Sequence, residues 1–573
     1  MSTATLAPAA TVHHRLSAAF TTDGTRLACL AAHTDGRCTA ELWNLTGPAP
    51  QRTELRAAHE AETPRTQVLP LPDGRLLLCR STPGRHDLRT ATPGDHRTRP
   101  LGTLYHPAVR LLPWPGPEGL AALVTTDSRR RSTLRLLAGP GPDLQTLAEL
   151  PGGLLGGDWL DPHRLLALHY TDGTAHGIVV ETRTGRAEPL PGAEPGERPL
   201  LAAPRTGQLL VAVPTATGSH RLGLRPLDGH TPTRHPEGLN SLPGGIRPLA
   251  FDPTGTRLAV RSDRGAAARI LVHRLDTDTA TELPAPPGTF GDRAHWTRTG
   301  LHLLHSSPER PTAPLRLPAA PEAAPVAGVR QLAGADGPLE AVVYGDPGTA
   351  EHAVLALHGG PETAWRLEYD PLLAEFAAAG LAVLALNQRG STGYGPAHRD
   401  AIRQDWGGPD LADVLTVGHR LARERAARGL EPPALYGISY GAWLALLAGT
   451  DPHAPWSRCA AVAPFRSVPH LAATGAPGVR AMLHRLGAPA EPAAERDLHR
   501  RADRIRVPLL LLHGEQDEVV PVAHSRELHA HLRDLGRDVH YREIPGAGHH
   551  PVTGPSGPAV RAALTDFLRT GAH

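Results

Sequence analysis

Apolar and turn-forming residues recur in one pattern along the first part of the chain, from about residue 15 to residue 315. Each copy has a few apolar residues, a turn built from Asp, Pro or Gly, and a second apolar run, as in "AFTTDGTRLACL". The apolar runs are typical of short strands, and the D-G and T-G pairs are typical of hairpin turns, because glycine adopts a positive φ without steric cost. The copies occupy residues 19–30, 69–79, 110–124, 157–168, 202–213, 250–260 and 295–304.

The spacing of these copies indicates the architecture. They recur about every 40–50 residues, which is the length of a four-stranded propeller blade. A pair of β-sandwiches or a solenoid is the alternative, but evenly spaced short strands with no helical stretch between them favour a propeller. Seven copies, including the degenerate one at 110–124, therefore predict an N-terminal seven-bladed β-propeller over residues 1–315.

The pattern changes after the Pro/Ala-rich stretch at 310–328. Beyond it, short apolar runs alternate with helical patterns, which predicts a mostly parallel sheet covered by helices on both faces. The division is a propeller cap at 1–315, a linker at 316–328 and an α/β domain at 329–573. The predicted strands are 353–357, 381–386, 434–436, 509–512 and 539–544. Two predicted helices carry apolar faces made of Leu528, Leu532 and Leu535 and of Val560, Leu564, Phe567 and Leu568.

Composition excludes several classes of function. At 573 residues the chain exceeds one hydrophobic core, and its net charge of +2 leaves no basic excess for nucleic acid or an anionic membrane. All 59 basic residues are arginine, so a Schiff-base lysine, a Walker-type lysine and a Ser–Lys dyad are ruled out. No C-x-x-C pair, H-E-x-x-H motif, signal-peptide pattern or long apolar run occurs. We expect a cytoplasmic protein without a metal or cofactor; a homo-oligomer is compatible with the sequence.

The clearest chemical signal is a G-x-S-x-G pattern around Ser439, within "ALYGISYGAWLALL". The pattern alone is weak in a chain with 60 glycines, but here it follows a predicted strand and precedes a predicted helix. This is the context of a nucleophile elbow, whose crowded backbone requires small residues at Gly437 and Gly441. We therefore predict that Ser439 is a nucleophile in an α/β-hydrolase domain.

A serine hydroxyl needs a base to accept its proton, and the chain offers one after a later strand. Asp517 follows the strand at 509–512, and His549 follows the strand at 539–544. The order Ser, Asp, His is that of α/β-hydrolases. His549 is predicted to be the general base and acid, and Asp517 to orient it. The alternatives are His550 for the base and Glu515 or Glu518 for the carboxylate, whereas His513 is interpreted as structural.

The glycine-rich turn "HGGP" follows the strand at 353–357, where backbone amides can approach a substrate carbonyl. We assign the oxyanion hole to the N–H groups of Gly360 and Tyr440, the latter at the start of the helix after Ser439.

Together these residues resemble the prolyl oligopeptidase family of serine peptidases, in particular its acylaminoacyl-peptidase and dipeptidyl-peptidase-like branches. The resemblance covers nearly all of the C-terminal half and, over the propeller, is one of architecture. It implies a propeller above an α/β-hydrolase domain, an active site between the two, and cleavage of short peptides because the cap excludes folded proteins. The motifs that carry it are "HGGP" (358–361), "NQRGSTGYG" (387–395), "DWGGPDLADV" (405–414), "GISYG" (437–441), "HGEQDEVVP" (513–521) and "PGAGHH" (545–550).

The chain also departs from the family pattern. Ala442 and Trp443 stand where the family usually has glycine followed by a large aromatic residue, and Ile438 stands where glycine is common. The stretch 467–483, where the family often shapes its specificity pocket, matches poorly. A further set of residues matches family positions that we interpret as structural: Arg389, Trp406, Asp410 and Asp413.

The leading functional prediction is a serine peptidase that hydrolyses short peptides or N-acyl-peptide bonds through an acyl-enzyme. The alternative keeps the triad and changes the substrate: an esterase, or a tailoring hydrolase or acyltransferase that deacylates, trims or cyclises a peptide-like natural product. A third alternative is a propeller interaction module with an inactive hydrolase domain. The expected ligand is a short peptide or an acylated small molecule.

Overall fold

The computed structural model describes residues 12–53, 55, 62–95, 97–139, 143–216, 218–319, 326–453, 456–489 and 494–572. Seven antiparallel sheets of three or four strands form the N-terminal part, and an eight-stranded sheet forms the C-terminal part. This confirms the predicted seven-bladed propeller and α/β-hydrolase domain.

Each blade is built from strands that are consecutive in the sequence. Blades one to three contain β1 (Val12–Phe20), β2 (Arg26–His33), β3 (Cys38–Asn44) and β4 (Gln51–Thr53); β5 (Gln67–Pro70), β6 (Leu76–Thr82), β7 (Arg85–Ala91) and β8 (Arg99–Leu104); and β9 (Ala108–Pro113), β10 (Ala121–Thr126), β11 (Arg131–Leu137) and β12 (Leu144–Pro151). Blades four and five contain β13 (Gly153–Asp161), β14 (Arg164–Thr171), β15 (Thr174–Glu181) and β16 (Arg186–Pro189); and β17 (Arg198–Ala203), β18 (Gln208–Pro214) and β19 (His220–Pro226), followed by the short helix α1 (Glu237–Asn240). Blades six and seven contain β20 (Gly245–Phe251), β21 (Arg257–Arg264), β22 (Ala267–Arg274) and β23 (Thr279–Glu282); and β24 (Thr289–Thr297), β25 (Gly300–Ser307) and β26 (Arg310–Leu317).

Every repeated sequence pattern falls on the first two strands of a blade and the turn between them. The ring closes through hydrogen bonds between blades one and seven. Arg15 Nη1 donates to the Thr312 carbonyl at 2.6 Å, and Arg316 Nη1 donates to the Gly47 carbonyl at 3.2 Å. Hydrogen bonds between side chains and backbone thus join the two ends of the ring.

The C-terminal sheet has the strand order β27-β28-β30-β29-β31-β32-β33-β34, and it is parallel from β30 to β34. Its strands are β27 (Ala327–Ala333), β28 (Pro338–Tyr344), β29 (His352–Leu357), β30 (Leu381–Asn387), β31 (Ala434–Ile438), β32 (Cys459–Val462), β33 (Leu509–Gly514) and β34 (Val539–Ile544). The helices are α2 (Pro371–Ala378), α3 (Pro396–Asp400), α4 (Pro409–Ala426), α5 (Tyr440–Gly449), α6 (Val468–Thr474), α7 (Pro477–Arg485), α8 (Leu498–Arg501), α9 (Ala523–Asp534) and α10 (Gly557–Thr570).

Two apolar cores lie on opposite faces of this sheet, as expected for a sheet covered by helices. The predicted face of α10 is buried at all four positions. The prediction for α9 is correct at Leu528 and Leu532 but wrong at Leu535, which is 39% exposed. The helix ends at Asp534, so Leu535 caps it instead of continuing its buried face.

The segment between the two domains is shorter than its composition suggests. Strand β26 runs past residue 315 to Leu317, and β27 begins at Ala327. Residues 320–325 of the predicted linker lie outside the described residues.

The propeller ring lines an open cavity of about 1960 Å³. The first strand of every blade lines it, and Arg366 and Glu368 line it from the hydrolase domain. Glu368 accepts a hydrogen bond from Thr289 Oγ1 of blade seven at 2.9 Å. Among the described helices, none is long and apolar enough to cross a membrane.

Candidate active site

Ser439 lies on a sharp turn between β31 and α5. Its φ of 55° and ψ of −119° are strained for a residue with a side chain. A Cβ atom on Gly437 would overlap the Gly441 carbonyl, and one on Gly441 would overlap the carbonyls of Leu357 and His358. The two glycines are therefore required by close backbone contacts, as the G-x-S-x-G pattern predicts.

The structure brings Ser439, His549 and Asp517 together. Ser439 Oγ lies 3.0 Å from His549 Nε2, and His549 Nδ1 lies 2.7 Å from Asp517 Oδ2. Ser439 follows β31, Asp517 follows β33 and His549 follows β34, so all three extend from the carboxyl edge of the parallel sheet. Ligand sites of open α/β sheets lie at this edge.

Asp517 has a full set of hydrogen-bond donors. Its Oδ1 accepts from the N–H groups of Val519 and Val520 at 2.8 and 2.9 Å, and its Oδ2 contacts both His549 and His513. Burial by itself would raise the pKa of Asp517, but the hydrogen bonds from His513, His549 and the Val520 N–H hold that pKa well below its usual range. The carboxylate therefore stays ionised and can only accept, which makes His549 Nδ1 the donor.

His513 is closer to the chemistry than its sequence position indicated. It is fully buried, with Nε2 3.1 Å from Asp517 Oδ2 and Nδ1 2.7 Å from Ser525 Oγ. We still interpret His513 as structural, because it contacts the Asp517 carboxylate and does not contact Ser439. The available signal was the four-residue spacing between His513, near the end of β33, and Asp517, on the loop that follows.

The alternatives to the triad residues lie in other environments. The ring of His550 stands 4.9 Å from that of His549, and the hydrogen bond to Asp517 is made by His549. Glu515 accepts from the Gly546 N–H at 2.9 Å and so supports the loop that carries the histidines. The geometry thus favours Asp517 as the carboxylate and His549 as the base.

The loop after β29 passes beside the nucleophile. A Cβ atom on Gly359 would lie 3.5 Å from Ser439 Cβ, and the next residue, Gly360, has a φ of 122°. Tyr440 is the first residue of α5, so the helix does not use its N–H group. The predicted donors, Gly360 and Tyr440, therefore lie on the two segments that flank Ser439.

One buried and one exposed hydrogen bond hold the loop after β29. His358 Nε2 lies 2.8 Å from Ser391 Oγ, and Thr363 Oγ1 donates to the Gly359 carbonyl at 2.7 Å. Burial lowers the pKa of His358 to about 4, so its ring is neutral near pH 7. These contacts constrain the backbone on both sides of Gly360.

The Tyr440 side chain points away from the nucleophile into the core. Its hydroxyl donates to Asp410 Oδ2, and both residues are buried. Burial raises the pKa of Asp410 to about 6. Asp410 was interpreted from the sequence as structural. It contacts the side chain of Tyr440, whose N–H group is a predicted oxyanion donor, although the two residues are 30 positions apart.

The other residues interpreted as structural have packing or pairing roles. Trp406 packs edge-on against Tyr440 with ring centroids 5.1 Å apart, and Arg389 Nε donates to Asp413 at 2.9 Å. Trp443, the large aromatic residue after Ala442, is buried, and its ring stacks on Phe465 with centroids 5.2 Å apart.

A serine, a histidine and an ionised aspartate, hydrogen-bonded in that order at the carboxyl edge of this sheet, form the arrangement typical of the catalytic triad of serine hydrolases. Residues 368–572 match the prolyl oligopeptidase family. This match lies within the C-terminal domain, and the curated relatives that this domain resembles include peptidases.

Two curated relatives illustrate the similarity. Dipeptidyl aminopeptidase BIII of Pseudoxanthomonas mexicana is 29% identical over 224 residues, covering 38% of this chain and 32% of the relative. The uncharacterized peptidase YuxL of Bacillus subtilis is 28% identical over 209 residues, covering 34% of this chain and 30% of the relative. The matched segment therefore spans about a third of the length of these relatives.

Solved structures match over both domains. A puromycin hydrolase superposes with a TM-score of 0.68 at 20% identity, covering 98% of this chain and 95% of that one. The acylaminoacyl peptidase of Pyrococcus horikoshii superposes with a TM-score of 0.67 at 14% identity, covering 96% of this chain and 94% of that one. At these identities the comparison establishes the shared fold.

Proposed function

We propose that the protein is a serine peptidase that hydrolyses short peptides or N-acyl-peptide bonds through an acyl-enzyme. The observation that carries the proposal is the hydrogen-bonded relay from Ser439 Oγ through His549 to Asp517, with distances of 3.0 and 2.7 Å. The names of the relatives, which include dipeptidyl and acylaminoacyl peptidases, support a peptide or aminoacyl amide as the substrate.

The proposed chemistry follows from the relay. Ser439 Oγ attacks the scissile carbonyl while its proton passes to His549 Nε2, and Asp517 stabilises the imidazolium. The carbonyl oxygen becomes an oxyanion that accepts hydrogen bonds from the Gly360 and Tyr440 N–H groups. The imidazolium then protonates the leaving amine, and the acyl group remains on Ser439. Water, deprotonated by His549, attacks the ester and releases the acid.

The cavity limits the substrate. A space of about 1960 Å³ lies inside the propeller ring, and Arg366 and Glu368 reach it from the hydrolase domain. Ser439, Asp517 and His549 do not line this space, so we propose it as the route by which a short peptide or an acylated small molecule, but no folded protein, approaches the triad. The loop from Gly360 to Glu368 connects the proposed oxyanion hole to the wall of this cavity.

The test is labelling with a fluorophosphonate, which reacts with an activated serine. We expect the protein to be labelled, Ser439→Ala to remain unlabelled, and Ser241→Ala, a change at an exposed propeller serine, to label like the parent. Folded parent protein that resists labelling would favour the inactive-scaffold alternative. A panel of acyl-peptide, dipeptidyl and ester substrates then separates peptidase from esterase, since activity on esters alone would remove the peptidase assignment.

A further inference from the structure

A hairpin turn of the propeller is built into the hydrolase core. The turn joins β21 to β22 in blade six, and its residue Ala266 is fully buried among side chains of the hydrolase domain. Gly265 N donates to the Gly393 carbonyl at 3.0 Å. Gly265 has a φ of 58°, and a Cβ atom on it would overlap the Glu340 carboxylate, so a larger residue would displace the Glu340 side chain. We call residues 264–267 the blade-six turn.

One connection from the blade-six turn to the oxyanion loop, residues 358–368, is direct. Leu367 N donates to the Ala266 carbonyl at 2.8 Å, and Leu367 is itself buried. The propeller backbone therefore holds the end of the segment that begins at His358 beside the nucleophile.

A second connection runs through side chains. Glu340 Oε2 accepts from the Ala266 N–H at 3.1 Å and from the Tyr394 hydroxyl at 3.0 Å. The Tyr394 oxygen in turn accepts from Asn387 Nδ2 at 2.7 Å. Asn387 is fully buried at the end of β30, so this chain of hydrogen bonds is fixed at both ends.

Asn387 passes the constraint to the oxyanion loop. Its amide forms a pair of hydrogen bonds with the Trp365 backbone, with Trp365 N donating to Asn387 Oδ1 at 2.8 Å and Asn387 Nδ2 donating to Trp365 O at 2.9 Å. Thr392 N also donates to the Thr363 carbonyl at 2.9 Å, and Thr363 Oγ1 donates to the Gly359 carbonyl. The backbone on the far side of Gly360 is therefore held at residues 363, 365 and 367.

We propose that the blade-six turn positions the Gly360 N–H for catalysis, and that Glu340 and Tyr394 are positioning residues that transmit this constraint from the propeller. The inference rests on the proposed function, because it assumes that Gly360 donates to the oxyanion. A misplaced donor loses stabilisation of the transition state while substrate binding elsewhere in the cavity is retained. The propeller would then contribute to the reaction itself in addition to restricting access.

The experiment compares Tyr394→Phe with Tyr541→Phe. Both changes delete a tyrosine hydroxyl that donates to a glutamate, at Glu340 in the first case and at Glu543 on β34 in the second. We expect kcat to fall by about tenfold in Tyr394→Phe with KM unchanged, and both constants to be unchanged in Tyr541→Phe. The affinity for a peptide boronate, whose tetrahedral adduct on Ser439 occupies the oxyanion site, should fall by the same factor as kcat.

A second pair of variants distinguishes the loss of these hydrogen bonds from misfolding. Glu340→Gln keeps an acceptor oxygen for Ala266 and Tyr394 and should retain parental kcat, whereas Glu340→Ala should lose about tenfold. Parental kcat and boronate affinity in both Tyr394→Phe and Glu340→Ala would overturn the inference while leaving the proposed function intact. A folded parent protein that neither labels nor hydrolyses any substrate would remove the proposed function, and this inference with it.

Discussion

Replacing Asp517 by asparagine changes one atom and inverts the hydrogen bonding of His549. In the parent, the Val519 and Val520 N–H groups donate to Asp517 Oδ1, and His549 Nδ1 lies 2.7 Å from Oδ2. An asparagine would keep its oxygen on the two backbone donors and turn its NH₂ group toward His549. Nδ1 would then have to accept, so the ring proton would move to Nε2 and face Ser439.

This change of tautomer determines how far kcat should fall. With Nε2 protonated, His549 cannot take the proton of Ser439, and catalysis is left to binding and the oxyanion hole. The same exchange in a triad of this type costs about 10⁴ in kcat, equivalent to about 5.5 kcal/mol of transition-state stabilisation. We expect a loss of that order for Asp517→Asn, with a small change in KM because Asp517 is buried behind the histidine.

The assay is steady-state hydrolysis of the best substrate from the panel, with fluorophosphonate labelling rates as a second measure. Glu515→Gln and Glu518→Gln, on the same loop, are matched controls that neutralise a carboxylate without touching His549, and both should keep parental kcat. Retention of more than a tenth of parental kcat in Asp517→Asn would show that another group orients the base, and the triad assignment would be wrong.

Three further predictions concern the same region. His549→Ala should lower kcat by about four to six orders of magnitude, whereas His550→Ala should stay within about threefold, as steady-state rates would show; the reverse result would transfer the base to His550. Gly437→Ala should abolish labelling and lower Tm in a thermal melt, because its Cβ would overlap the Gly441 carbonyl; parental behaviour would contradict the close packing of the elbow. Burial raises the pKa of Asp410 to about 6 from an unfolded value of 3.8, so the folded protein retains a proton that the unfolded chain loses. The contribution of Asp410 to the free energy of unfolding should therefore fall as pH rises from about 4 to 6, so denaturant titrations of the parent and Asp410→Asn should show a stability difference that changes over that range; a constant difference would contradict the raised pKa.

Much of the fold could be predicted because it depends on local patterns. The blade pattern repeats strand, turn and strand within a dozen residues, and each copy coincides with the first two strands of a blade. Three strands of the C-terminal sheet, β27, β28 and β32, were not predicted. The four buried residues of β32 (Cys459–Val462) carry no alternation that distinguishes a strand from a helix.

The candidate site likewise contains residues with a local sequence signal and contacts without one. Ser439 was recognisable from its immediate neighbours, and Asp517 and His549 from their places after strands. The links from Tyr440 to Asp410 and from Ala266 to Glu340 join residues 30 and 74 positions apart, and neither had a local signal.

The amino-acid sequence by itself determined the seven-fold β repeat, the α/β alternation and the glycine-flanked nucleophile, because turn geometry and side-chain periodicity act over a few neighbouring residues. Only the tertiary structure decided that His549 and not His550 meets Asp517, that a buried Asp410 contacts Tyr440, and that a propeller turn enters the hydrolase core. Those outcomes depend on which distant surfaces pack together, and the free energy of that packing is shared among many residues that no short motif records.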